Sequence, residues 1–162
     1  MAEESTTPQD ETQAETQPAS RKLAARLGYA GLLPAILLAL WLFGIPDNHP
    51  WRPTTIALLA GYAAVVLSFL GGIRWGIALS EPDETASRAF AISVLPALGG
   101  WGALFVPPPY TFVLLAVAFA AHGAWDTLTA QRGKMPDWFA RLRMQLTAGI
   151  VVTMLIAFAG TA

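Results

Sequence analysis

TTIALLAGYAAVVLSFLGGIRWGIAL, residues 54–79, is an unbroken apolar run that contains one permanent charge, Arg74. An α-helix rises about 1.5 Å per residue, so a run of this length reaches across the ~30 Å hydrocarbon layer of a bilayer. Four more runs of this kind flank it. Together, spans at 27–45, 54–79, 88–106, 110–129 and 141–160 predict an all-α integral membrane protein, a bundle of five transmembrane helices. The breaks between spans carry turn chemistry. GIPDNHPWRPT, SEPDET, the prolines at 107–109 and QRGKMPD all resist helix continuation. A three-residue proline break leaves no room for a crossover, so spans three and four are antiparallel neighbours.

Composition supports the same class. Of 162 residues, 54% are hydrophobic and 13% charged, where a soluble domain carries about 25% charged residues. The charge is uneven: residues 1–20 hold five of the eleven acidic residues and no basic one. Such a segment buries too little apolar surface to offset ordering entropy, which predicts a disordered acidic N-terminal tail at 1–20 ahead of a transmembrane domain at 21–162. The absence of cysteine excludes disulfides and thiolate chemistry. Two histidines, His49 and His122, are too few for a histidine metal cage, and a net charge of −1 gives nucleic acid nothing to bind.

Basic residues set an expected orientation. With the N-terminus cytoplasmic, Arg21, Lys22, Arg26, Arg88, Arg132, Lys134, Arg141 and Arg143 all lie inside, and Arg52 alone lies outside. The C-terminus is then periplasmic. Trp41, Trp51 and Trp101 fall at outer ends of spans, and Trp75, Trp125 and Trp138 at inner ends, as an aromatic belt requires. Pro34 and Pro96 lie inside spans, where each frees a carbonyl and predicts a helix kink.

Arg74 lies five residues from the inner end of its span, about 7.5 Å of helix rise. Two readings are open. The long stem can snorkel to lipid phosphates, or the guanidinium can pair with Asp126, which lies at nearly the same depth on the fourth span. His122, one turn from Asp126, shares its face. Arg74, His122 and Asp126 thus form a candidate intramembrane polar cluster. Ala64, Ser68, Gly72 and Gly76 recur every four residues and predict a small-residue ridge for close helix packing. Arg141 and Arg143, in WFARLRMQ, read as interfacial anchors.

No catalytic constellation emerges. Ser68, Ser93 and His122 are the available serine-hydrolase candidates, and Ser68 lacks a nucleophile-elbow setting. His49 and His122 differ too much in depth to share a haem. The sequence therefore carries no catalytic, cofactor-binding or metal-binding assignment.

GYAGLLPAI (28–36), SFLGGIRWG (68–76), SVLPALGGWG (93–102) and WDTLTAQRGKMPDWFARLRMQLT (125–147) resemble the family typified by human transmembrane protein 69. The resemblance covers about residues 27–160. Met135 and Phe139 stand where the family pattern suggests Leu and Tyr. It implies a small multi-span membrane protein of bacteria or mitochondria without an established activity, and it transfers no catalytic residue. An acidic leader favours the bacterial inner membrane. The expected role is a non-enzymatic accessory, assembly or scaffolding subunit that meets the lipid bilayer and another membrane protein or itself. The alternative is a small transporter or proton/ion-conducting protein built on Arg74, His122 and Asp126 as an oligomer.

Overall fold

The computed structural model describes residues 8–80, 82–131 and 136–162, and all regular structure among them is helical. The order is α1 (Pro8–Gly44), α2 (Arg52–Ala78), α3 (Asp83–Ser93), α4 (Leu95–Ala103), α5 (Tyr110–Gln131) and α6 (Asp137–Ala159). α1 begins inside the segment whose composition predicts a disordered tail. Residues 1–7 of that tail lie outside the described residues, as do Arg132 and Lys134 of the orientation argument. Gln and Glu disfavour burial yet, like Ala, favour helix, so the two properties part company over residues 8–20.

Four helices are long and apolar enough to cross a membrane: Ala19–Gly44, Arg52–Ala78, Tyr110–Thr129 and Asp137–Ala159. The chain is thus a multi-pass membrane protein. The span expected at 88–106, with a kink at Pro96, is interrupted beside that proline. It is delivered as α3 and α4, of 11 and 9 residues, broken at Val94. Three local features act there. Pro96 has no N–H for the Ile92 carbonyl, Ser93 Oγ donates to the Phe90 carbonyl (2.7 Å), and Gly99, Gly100 and Gly102 follow. Pro34, by contrast, lies among strong helix formers, and α1 continues through it.

The broken element still follows α2. Trp75 stacks on Phe90 (centroids 4.8 Å apart), Gly71 faces Ser93, and Gly100 faces Ala64. α3–α4 therefore runs antiparallel along α2. α1 and α6 run parallel: Gly28 faces Leu146, Gly149 faces Leu32, and Gly160 faces Phe43. Arg21 lies over the Trp138 ring at 5.5 Å, joining the start of the Ala19–Gly44 span of α1 to the start of α6. This end of the bundle gathers the described basic residues other than Arg52 and is called here the basic end.

At the opposite end Arg52 does a different job from its neighbours in charge. Its Nη1 donates to the carbonyls of Leu42 (3.3 Å) and Ile45 (3.1 Å), and its Nη2 to Gly160, while Asp47 pairs with it at 2.9 Å. A cation is favourable at helix C-termini, where carbonyls lack partners. Arg52 thereby ties the ends of α1 and α6 to the start of α2. The core between the two ends is built from small and large residues in turn, including Ala35, Ala39, Leu59, Leu67, Phe112 and Phe119.

The packing ridge also differs from its expectation. Ala64 is buried and Ser68 half-buried, but Gly72 and Gly76 are exposed, with nothing within 4 Å of a Cβ built on either. The buried face of α2 includes Ala60, Ala63, Ala64, Leu67 and Gly71. The reason is geometric: four residues turn a helix by about 400°, so a strict four-residue repeat drifts about 40° per step off any straight seam. Contact is kept by alternating steps of three and four.

This yields a paired expectation. A Cβ on Gly71 would sit 2.5 Å from the Ser93 carbonyl oxygen, and one on Gly100 would sit 3.1 Å from Ala64 backbone. Backbone cannot swing aside, so Gly71→Leu and Gly100→Leu should each cost about 1–3 kcal/mol or more. Gly72→Leu and Gly76→Leu should be near neutral. Thermal midpoints in detergent check this, and a large loss at Gly72 with none at Gly71 would restore the four-residue ridge.

Candidate functional site

Three helices bring charge together near the basic end. α5 presents His122, Asp126 and Thr129 on one face, spaced by four and three residues. α2 contributes Arg74 and α6 contributes Arg143. Close backbone approach makes the α5–α6 half possible: a Cβ on Gly123 would lie 2.5 Å from Thr147 Cγ2, so only glycine fits there. Thr147 is β-branched and stiff in a helix, which leaves it little room to yield.

Asp126 is the hub. Arg74 Nη2 donates to its Oδ1 at 2.5 Å. On the other oxygen, Oδ2, Arg143 donates from Nε at 2.9 Å and from Nη2 at 2.5 Å. Arg74 Nη1 also donates to Thr129 Oγ1 (2.9 Å), whose own hydroxyl donates to the Trp125 carbonyl (2.9 Å). The Arg74 guanidinium lies 4.8 Å from the Trp125 ring centroid, within cation–π range. The group is dry: Asp126 is 5% exposed and Arg143 7% exposed.

The sequence reading of Arg74 left pairing and snorkelling open, and the structure places Arg74 against Asp126. His122 is brought to the same place but not into a bond. Its Nε2 stands 3.7 Å from Asp126 Oδ2, beyond hydrogen-bond distance. Both of its ring nitrogens are buried without a partner, as is Arg74 Nε. The charges do not cancel: two guanidinium groups meet one carboxylate, leaving one formal positive charge in the cluster.

Arg143 is the residue that sequence reasoning misplaced. Read as a surface anchor, it is a buried ligand of Asp126, while Arg141 is exposed. Two positions along a helix turn it by about 200°, so neighbours in an RLR string face opposite ways. That turn was the available signal. Thr129 was missed too, although it lies on the Asp126 face.

A cavity of about 580 Å³ abuts the cluster. It lies between α1, α2, α5 and α6, is walled almost wholly by apolar side chains, and has Arg143 among its lining. No group of three or more His, Cys, Asp or Glu able to hold a metal exists among the described residues.

Residues 20–159 match the model of a family described as a protein of unknown function (DUF3429). The chain belongs to this family. It is similar to transmembrane protein 69 of Xenopus tropicalis, with 32% identity over 139 residues, which is 82% of this chain and 52% of that protein. Transmembrane protein 69 of Mus musculus is 28% identical over 145 residues, 86% of this chain and 54% of the relative. The chain thus spans about half the length of these curated relatives. The likeness first read from SFLGGIRWG and the 125–147 stretch is therefore a family relationship. No solved structure gives a significant match.

The ion cluster predicts an order of damage. Asp126→Asn leaves two guanidinium groups facing each other without a counter-charge, and breaking a buried pair in this way costs about 3–5 kcal/mol. Arg74→Met and Arg143→Met each leave one cation with one carboxylate. Either should therefore be milder than Asp126→Asn in the detergent thermal midpoint. If Asp126→Asn proves the mildest of the three, the carboxylate is not the hub.

Proposed function

We propose that this chain is a non-enzymatic membrane subunit that acts by association, as an accessory, assembly or scaffolding partner of another membrane protein or of further copies of itself. One observation carries the reading. Its intramembrane carboxylate is fully engaged within the bundle: both Asp126 oxygens are occupied by arginine donors, in a buried site. These bonds fix the relative placement of three helices and thereby the shape of the outer surface. That surface carries many exposed apolar side chains, among them Leu33, Leu37, Phe69 and Phe105.

The proposed setting is a bacterial inner membrane, with the basic end cytoplasmic and the C-terminus periplasmic. The lopsided distribution of Lys and Arg supports the orientation. The bacterial setting is part of the proposal, while the relatives reported above come from animals.

A second reading, a proton- or ion-conducting protein, draws on one specific observation. His122 is buried with both nitrogens unpartnered beside Asp126, and intramembrane ionisable groups often mark pathways.

Two measurements separate these. Affinity purification of the full chain in mild detergent should return a stable complex larger than a monomer, whereas a lone monomer would overturn the association reading. Proteoliposomes should show no pH-gradient-driven proton flux above protein-free controls. A flux that His122→Ala abolishes, with folding retained, would establish conduction instead.

A further inference from the structure

α1 and α2 are held together at the end opposite the basic one and separate toward the basic end. Arg52 ties their joining ends, and Tyr62 donates its hydroxyl to the Gly31 carbonyl at 2.5 Å. Beyond that bond α1 packs on α6 while α2 packs on α3, α4 and α5, and the gap between them is the 580 Å³ cavity. Its lining on α2 runs from Tyr62 to Ile73, about 16 Å of helix. That equals roughly one leaflet of a ~30 Å hydrocarbon core.

The crevice is open sideways. Leu27 on α1 and Val65 and Phe69 on α2 form its rim and are 64–67% exposed. Phe119 and Leu146 make its floor. The one permanent charge in the lining is Arg143, part of the cluster with a surplus positive charge. Across the α1–α6 seam at the same end, a polar groove is lined by Arg21, Asp137 and Arg141.

We propose that this crevice is a binding site for one acyl chain of an anionic phospholipid from the leaflet at the basic end. The tail lies between α1 and α2 as far as the Tyr62–Gly31 bond. The phosphate remains at the basic end, in the field of the Arg143 cluster. Length, lateral opening and charge agree on this occupant. A free phosphate would not use the apolar wall, and a zwitterionic lipid would not answer the surplus charge. The volume falls within the ~300–1,000 Å³ of small-molecule sites. This inference is independent of the association reading, since a lipid can seat here in a monomer or a complex.

The test uses the full chain reconstituted in nanodiscs of equal parts phosphatidylglycerol and phosphatidylcholine, extracted in mild detergent and analysed by native mass spectrometry. Retained phosphatidylglycerol should exceed retained phosphatidylcholine about tenfold. Val65→Trp fills the mouth from an exposed position outside the core and outside the ion cluster, so it should cut that retention by a similar factor with an unchanged thermal midpoint. Equal retention of the two lipids overturns the proposal, as does undiminished retention in Val65→Trp. A second measurement does not depend on the variant. Phosphatidylglycerol with a photoreactive group in mid-chain should label the peptides holding Phe69 or Leu146. Labelling elsewhere only overturns it.

Discussion

One carboxylate shared by two arginines governs the basic half of this molecule. Asp126 accepts from Arg74 on one oxygen and from Arg143 on the other, so α2 is fixed at one point to α5 and α6, which lie far from it in sequence. In a bilayer, apolar burial gives helices little reason to associate, and packing with polar contact supplies the difference. Charge at this depth is costly unless paired, and a pair of this kind offers more specificity than raw stability. The arrangement also constrains the packing around it. Arg143 reaches Asp126 only because Gly123 lets α6 come within contact of α5, and Gly71 lets the α3–α4 element settle against α2.

Much of this was legible in the chain. Length and hydropathy located the four long helices to within a few residues, apart from the polar extension of α1. The depths of Arg74 and Asp126 could be compared by counting from helix ends, which is why their pairing could be raised at all. Helix rise is nearly constant, so depth is the coordinate that a sequence encodes best. Rotation about the axis is encoded less well. The expected Ala64–Ser68–Gly72–Gly76 ridge failed on rotation, because a small drift accumulates over several turns. Arg143 failed on the same coordinate, since the positive-inside argument treats every cation near a span end as a surface group. The break at Val94 has another origin: Pro96 was noticed, yet a single proline in α1 leaves the helix intact. Only the combination with a back-bonding Ser93 and three nearby glycines divides the element.

The two ends of the bundle use arginine in unlike ways. Arg52 addresses carbonyls that helices leave unpaired at their C-termini, a neutral acceptor set that needs no carboxylate in the core. Arg74 and Arg143 address a full negative charge. The first arrangement tolerates water and sits where α1 and α6 end; the second is enclosed by Trp125, Thr129 and the α5–α6 contact.

This difference accounts for the shape of the crevice. At the Arg52 end, α1, α2 and α6 are clamped to one another. At the basic end the cluster joins α2, α5 and α6 and includes no group from α1. α1 therefore follows α6 alone there, through the Gly28–Leu146 and Leu32–Gly149 contacts. Two helices clamped at one end, with only one of them bound into the cluster at the other, must diverge. The cavity between them is then a consequence of where the arginines bond, and the surplus charge of the cluster borders the space that its own bonding pattern leaves open.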